Sequence, residues 1–129
     1  MTLRGYFGER MTVLEQDICG VSDPLACWQE QTGGNDVPDV VYGGPPCQAF
    51  SQAGKQRGFA DDRGQLIWEF VRFVERLTPP FFVMENVANL QGVQGGRLYG
   101  EILERMDSLG YAVTVGALLA ADYGAPQLR

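Results

Sequence analysis

The chain has 129 residues, enough for one ordinary domain, and its 45 % hydrophobic and 20 % charged residues exclude a disordered polymer. A formal charge of −6 argues against nonspecific nucleic-acid binding by the surface as a whole. No apolar run approaches the ~20 residues of a membrane span and MTLRGYFGER carries no signal-peptide core, so a soluble, cytoplasmic protein is expected.

In chain order, the first strand candidate is VLEQDI, Val13 to Ile18, and the second is VPDVVYGG, Val37 to Gly44, which ends in a Gly-Gly turn signal. From Gly64 to Leu77 the apolar residues Leu66, Ile67, Phe70, Val71, Phe73, Val74 and Leu77 recur at helical spacing, and the prolines after Thr78 end that helix. A third strand is expected at FFVMEN, Phe81 to Asn86. A second helix is expected from Arg97 to Leu109, with Gly110 as its C-terminal cap, and a last strand at YAVTVGALLA, Tyr111 to Ala120. Strand alternating with helix is the pattern of an α/β fold, a mostly parallel sheet with helical crossovers, and the whole of 1–129 reads as one domain. In such sheets ligands sit outside the carboxyl ends of the strands. GGPPCQ directly follows one strand and Glu85 closes the next, so both are expected at the same edge.

Chemistry is expected at Cys47. Gly43 and Gly44 let the chain turn sharply, while Pro45 and Pro46 fix φ and remove two amide donors, holding the thiol in a stiff turn. A cysteine so placed is more often inert than reactive. With no histidine in the chain, Ser-His-Asp and Cys-His pairs are excluded, and Glu85 is the group at hand to supply proton chemistry. Cys19, Cys27 and Cys47 show no CxxC spacing, which argues against a zinc site or a redox pair. Lys55, the single lysine, stands with Arg57 and Arg63 in a glycine-bearing loop, where solvated charges are the ordinary reading.

Taken together, GGPPCQAFSQAGKQRG, DDRGQL, FVMENV and DYGAPQLR resemble the DNA (cytosine-5) methyltransferase family, from about Phe7 to Arg129. The resemblance implies part of a Rossmann-like S-adenosylmethionine-dependent methyltransferase fold, with double-stranded DNA as partner and neither metal nor membrane. It makes Cys47 the nucleophile that adds to cytosine carbon 6, Glu85 the residue that holds and protonates nitrogen 3, and Arg129 the first arginine of a Gln-x-Arg-x-Arg motif. Asp17, Ile18, Pro46 and Leu66 match cofactor-pocket positions. Gln48 and Ser51 fall on the loop that closes over DNA, where Lys55 and Arg57 are available to phosphates.

The sequence departs from the family at both ends. The Phe-x-Gly-x-Gly turn that cradles the methionine part of the cofactor has no counterpart, and neither does the target-recognition region. The expectation is a catalytic-domain fragment that alone binds S-adenosylmethionine poorly and methylates slowly or not at all, with a complementing chain that carries the missing motifs as a candidate partner. The related tRNA cytosine-5 methyltransferases, and a non-catalytic remnant or subunit of a split enzyme, are the alternatives.

Overall fold

The computed structural model describes residues 11–46 and 65–126. The chain divides into two compact units, Met1–Asn86 and Val87–Arg129. The first contains helix α1 (Pro24–Thr32), strand β1 (Val40–Gly43), helix α2 (Gln65–Leu77) and strand β2 (Phe81–Met84). The second contains a 3-10 segment (Ala88–Gly96), helix α3 (Arg97–Ser108) and a short 3-10 turn (Ala120–Tyr123).

In the first unit, β1 and β2 pair in parallel, with Val40 opposite Phe81 and Gly43 opposite Met84. A parallel pair needs a crossover, and α2 lies on it. The apolar stripe of α2 is the core: Ile67, Phe70, Val71, Val74 and Leu77 are all buried. Alternation along the strands turns Val41, Gly43, Phe82 and Met84 to the half-buried side and leaves Val40, Tyr42, Phe81 and Val83 exposed. Phe70 of α2 meets Phe82 of β2 edge to face, ring centroids 6.5 Å apart. In the second unit, Leu98, Ile102 and Met106, four residues apart on α3, are buried together with Leu90 and Val93 of the preceding 3-10 segment.

The helices stand close to their expected bounds, at Gln65–Leu77 and Arg97–Ser108, and the strands at 37–44 and 81–86 shorten to Val40–Gly43 and Phe81–Met84. Two expected strands do not form. Residues 12–17 run without regular structure into a 3-10 turn at Ile18–Gly20, and 111–119 form neither helix nor strand. Among the described residues the sheet has two strands. β-branched and apolar composition gives a segment the capacity to join a sheet, but only a neighbouring ladder makes it a strand. One helix went unforeseen: α1 starts on Asp23, whose carboxylate accepts from the Leu25 and Ala26 amides at 3.1 and 3.4 Å, and ends at Gly33 with φ 69°.

Candidate active site at the ends of two parallel strands

The register that pairs Gly43 with Met84 brings the chain segments leaving both strands side by side. The Glu85 amide donates to the Gly43 carbonyl at 2.9 Å, extending the ladder by one bond. One residue further, the Asn86 side-chain amide donates to the Pro45 carbonyl at 2.8 Å. Pro45 has no amide hydrogen with which to continue the ladder, and its carbonyl accepts from the Asn86 side chain.

Both glycines of the turn are occupied on their open side. A Cβ at Gly43 would stand 3.1 Å from two ring carbons of Phe70, so α2 packs directly on the strand end. A Cβ at Gly44 would stand 3.0 Å from Glu85 Oε2, so the carboxylate rests against the bare backbone there. Glu85 itself is exposed. The result is a solvent-facing carboxylate held against a Gly-Gly-Pro-Pro turn at the carboxyl edge of the sheet, where open α/β sheets bind ligands.

Asp17 and Ile18 occupy a separate feature. Asp17 caps the 3-10 turn, its Oδ1 accepting from the Cys19 amide at 2.9 Å. Arg72 of α2 donates to the carbonyls of Ile18 and Ser22 at 3.4 and 3.5 Å and pairs with Glu69 on its own helix. Asp17–Ile18 and the Gly43–Pro46 turn are therefore both attached to α2, the first through Arg72 and the second through Phe70. Leu66 sits half-buried in the first turn of the same helix, and Pro46 is exposed at the end of the turn.

Cys47, Gln48, Ser51, Lys55, Arg57 and Arg129 lie outside the described residues. The structure thus brings Glu85 to the Gly-Gly-Pro-Pro turn, and ties the Ile18 carbonyl through Arg72 to the helix that carries Leu66. Asn86 and Arg72 had been given no role from the sequence. Asn86 was legible as the middle residue of the Glu-Asn-Val stretch; Arg72 carries no motif and emerges only from packing.

Loss of solvent around the sulfur, followed by the carboxylates of Asp17 and Glu69, pushes the Cys19 thiol above its ordinary value, against a lowering by Arg72. Among the described residues no three acidic or thiol groups gather in a way that could hold a metal ion, and no helix is long and apolar enough to cross a membrane.

Comparison with known proteins gives this geometry a family. The family model for C-5 cytosine-specific DNA methylases matches residues 26–129. The chain is 48 % identical over 130 residues to the Type II methyltransferase M1.HphI of Haemophilus parahaemolyticus, covering 99 % of this chain and 34 % of that protein. It is 45 % identical over 96 residues to M1.ScrFI of Lactococcus lactis subsp. cremoris, covering 73 % of this chain and 25 % of the relative. It is 37 % identical over 125 residues to M.AquIA of Picosynechococcus, covering 91 % and 50 %. The chain spans a quarter to a half of the length of these relatives, and across that span it belongs to the C-5 cytosine-specific DNA methylase family.

Proposed function

We propose that this chain carries the nucleophilic half of a DNA cytosine-5 methyltransferase, within a Rossmann-like fold, and acts on a cytosine flipped out of double-stranded DNA. The observation that supports this most is the fixing of Glu85 beside the turn that runs into Cys47, through the Glu85–Gly43 and Asn86–Pro45 hydrogen bonds of 2.9 and 2.8 Å. The matching family model, that of C-5 cytosine-specific DNA methylases, supports DNA over tRNA as the substrate.

Carbon 5 of cytosine is a weak nucleophile while the ring is aromatic. Cys47 adds as thiolate to carbon 6, forming a carbon–sulfur bond, and Glu85 delivers a proton to nitrogen 3, so the electron pair of the 5,6 double bond becomes available at carbon 5. After carbon 5 has been alkylated, its proton passes to water acting as base, the electrons of that bond reform the double bond and expel the Cys47 thiolate, and nitrogen 3 returns its proton to the Glu85 carboxylate. A stacked base cannot be reached from the ring face by a thiol, so the reaction requires extrusion of the cytosine. Gln48 and Ser51 follow Cys47 on the loop that closes over the base, with Lys55 and Arg57 towards phosphates, and Arg129 helps organise the base site.

S-adenosylmethionine, when bound, supplies an electrophilic methyl group. The described residues fit part of such a ligand. Asp17 is exposed, and its carboxylate, which accepts from the Cys19 amide, is an acceptor of the kind an exocyclic amine needs. Ile18, half-buried beside it, offers an apolar flank, and Pro46 and Leu66 complete the set at the turn and the start of α2. The Phe-x-Gly-x-Gly turn is absent from this sequence.

The test is a covalent trap: DNA containing 5-fluorocytosine, with S-adenosylmethionine, incubated with the chain alone and with a complementing chain from a relative. A denaturation-resistant protein–DNA band that needs Cys47 and is lost in C47S supports the reading, and E85Q should slow its formation. No band under either condition, or an undiminished band in C47S, overturns it.

A further inference from the structure

Arg72 gathers three partners on one guanidinium. Its Nε and Nη2 donate to the Glu69 carboxylate one turn back on α2. Nη2 also donates to the Ile18 carbonyl at 3.4 Å, and Nη1 to the Ser22 carbonyl at 3.5 Å. Those two carbonyls bracket the 3-10 turn at Ile18–Gly20, in which no residue is buried, so apolar burial gives the turn a weak hold. Within it the Gly20 amide donates to the Asp17 carbonyl at 2.9 Å and the Val21 amide to the Ile18 carbonyl at 3.2 Å. Such bonds set the shape of the turn and not its place against α2. The Arg72 contacts act on that place.

We propose that Arg72 is a positioning residue for cofactor recognition, holding the Ile18–Ser22 segment against α2 so that the Asp17 carboxylate and the Ile18 side chain meet an adenine ring in a fixed arrangement. This rests on the reading of Asp17 and Ile18 as residues that bind S-adenosylmethionine, and adds a residue to which that reading gives no task. Glu69 orients the guanidinium plane by taking Nε and Nη2, which leaves the other edge of the fork aimed at the two carbonyls. The Phe73 ring, its centroid 5.2 Å from the guanidinium carbon, supports the same placement. Both charged side chains keep less than a third of their surface in water, at 29 % and 23 %. The electrostatics agree with the geometry: against desolvation and the carboxylates of Asp17 and Glu69, which raise the Cys19 thiol, Arg72 lowers it, so its charge is felt inside the turn. A segment ordered before binding loses less entropy when the ligand arrives. If release from α2 leaves the turn competent about a fifth of the time, apparent affinity falls about fivefold.

The experiment uses NMR on the full-length chain, with Arg72→Met and Arg72→Lys. Met keeps an apolar stem and removes every donor; Lys keeps the charge beside Glu69 but has no planar fork. In the unaltered chain the Cys19, Gly20 and Val21 amides should have order parameters near about 0.85, falling below about 0.6 in R72M. The Cys27 amide of α1 and the Val74 amide of α2 should keep theirs. Turn amides that stay rigid in R72M, or a loss that spreads equally to Cys27 and Val74, overturn the proposal. Titration with adenosine, followed at the Asp17 and Ile18 amides, should give a Kd about fivefold or more higher in both variants than in the unaltered chain. R72K should do so at an unchanged urea midpoint, a split that a purely structural role would not produce. Unaltered affinity in both variants, or affinity that falls only in step with the midpoint, also overturns it. If adenosine moves neither amide in the unaltered chain, the cofactor reading of Asp17 and Ile18 fails and takes this proposal with it; binding that survives in the variants fails Arg72 alone.

Discussion

Phe70 lies across Gly43 so closely that a Cβ on that glycine would stand 3.1 Å from two of its ring carbons. Phe70 is 5 % exposed and also meets Phe82 edge to face, so the ring has little room to retreat. Gly43→Ala should therefore destabilise the chain by about 1–3 kcal/mol, and Phe70→Ala by about 3–5 kcal/mol. The double variant G43A/F70L should cost less than the sum of its parts, since a smaller side chain makes space for the added methyl. Urea unfolding checks all three, and a G43A midpoint equal to that of the unaltered chain would show that the ring yields.

At the next residue the same substitution should do the opposite. A Cβ at Gly44 meets Glu85 Oε2 at 3.0 Å, the far end of a side chain that can rotate away, and the Glu85 carbonyl oxygen at an ordinary contact distance of 3.8 Å. Gly44→Ala should leave stability within about 0.5 kcal/mol. It should nevertheless move the carboxylate and slow the 5-fluorocytosine trap about tenfold. Comparing G43A with G44A thus separates packing from chemistry at adjacent positions, by unfolding midpoint against trapping rate.

The parts of this architecture that could be read from the sequence are those encoded locally. The α2 stripe from Leu66 to Leu77 has a helical period and a proline stop, and the apolar spacing of Leu98, Ile102 and Met106 marks α3 in the same way. The site edge was legible because a Gly-Gly-Pro-Pro-Cys turn and a Glu-Asn-Val stretch each follow an apolar strand. Strand formation at 13–18 and 111–120 was not legible, since it depends on a neighbour that no local pattern encodes. Two contacts, Asn86 to Pro45 and Arg72 to Ile18, join residues 41 and 54 positions apart, and only the folded chain shows them.

Helix α1 should have been found. Asp23-Pro24 is a cap followed by proline at the first helical position, and Gly33-Gly34 is a stop, but the intervening LACWQEQT has a weak apolar stripe. With so little periodicity to help, the cap carries much of the helix. Asp23→Ala should cost about 1–2 kcal/mol, losing two amide acceptor contacts and the 3.5 Å pairing with Arg76. Asp23→Asn should recover most of it, because the capping oxygen remains, and urea midpoints of the two variants provide the comparison.

Thr78 sits at φ 44°, a left-handed conformation that a β-branched residue adopts only under constraint. Its amide still donates to the Val74 carbonyl at 2.9 Å, closing the end of α2 before Pro79 and Pro80 lead into β2. Glycine has no Cβ to strain there and keeps the amide. Thr78→Gly should stabilise the chain by about 1 kcal/mol, read as a higher urea midpoint with unchanged slope. A lower midpoint would mean that the threonine side chain contributes more than the strain it bears.

Cys19 supplies a prediction in pH. Desolvation first, and then the negative charges of Asp17 and Glu69, raise its thiol above the ordinary value. A raised value means less thiolate at any pH below it, and the thiolate is the species that alkylates. At pH 8 Cys19 should therefore react more slowly with iodoacetamide than a free cysteine, although the residue is exposed, and the gap should close as pH rises past the elevated value. Asp17→Asn keeps an oxygen for the Cys19 amide but removes the charge, so it should accelerate Cys19 alkylation at pH 8 and shift its pH profile downward. A profile for Cys19 that matches free cysteine, unmoved by D17N, would mean that the thiol does not feel the carboxylates around it. It would also weaken the case that Asp17 keeps a charged acceptor available to a ligand's amine, since the charge sensed by the sulfur is the same one.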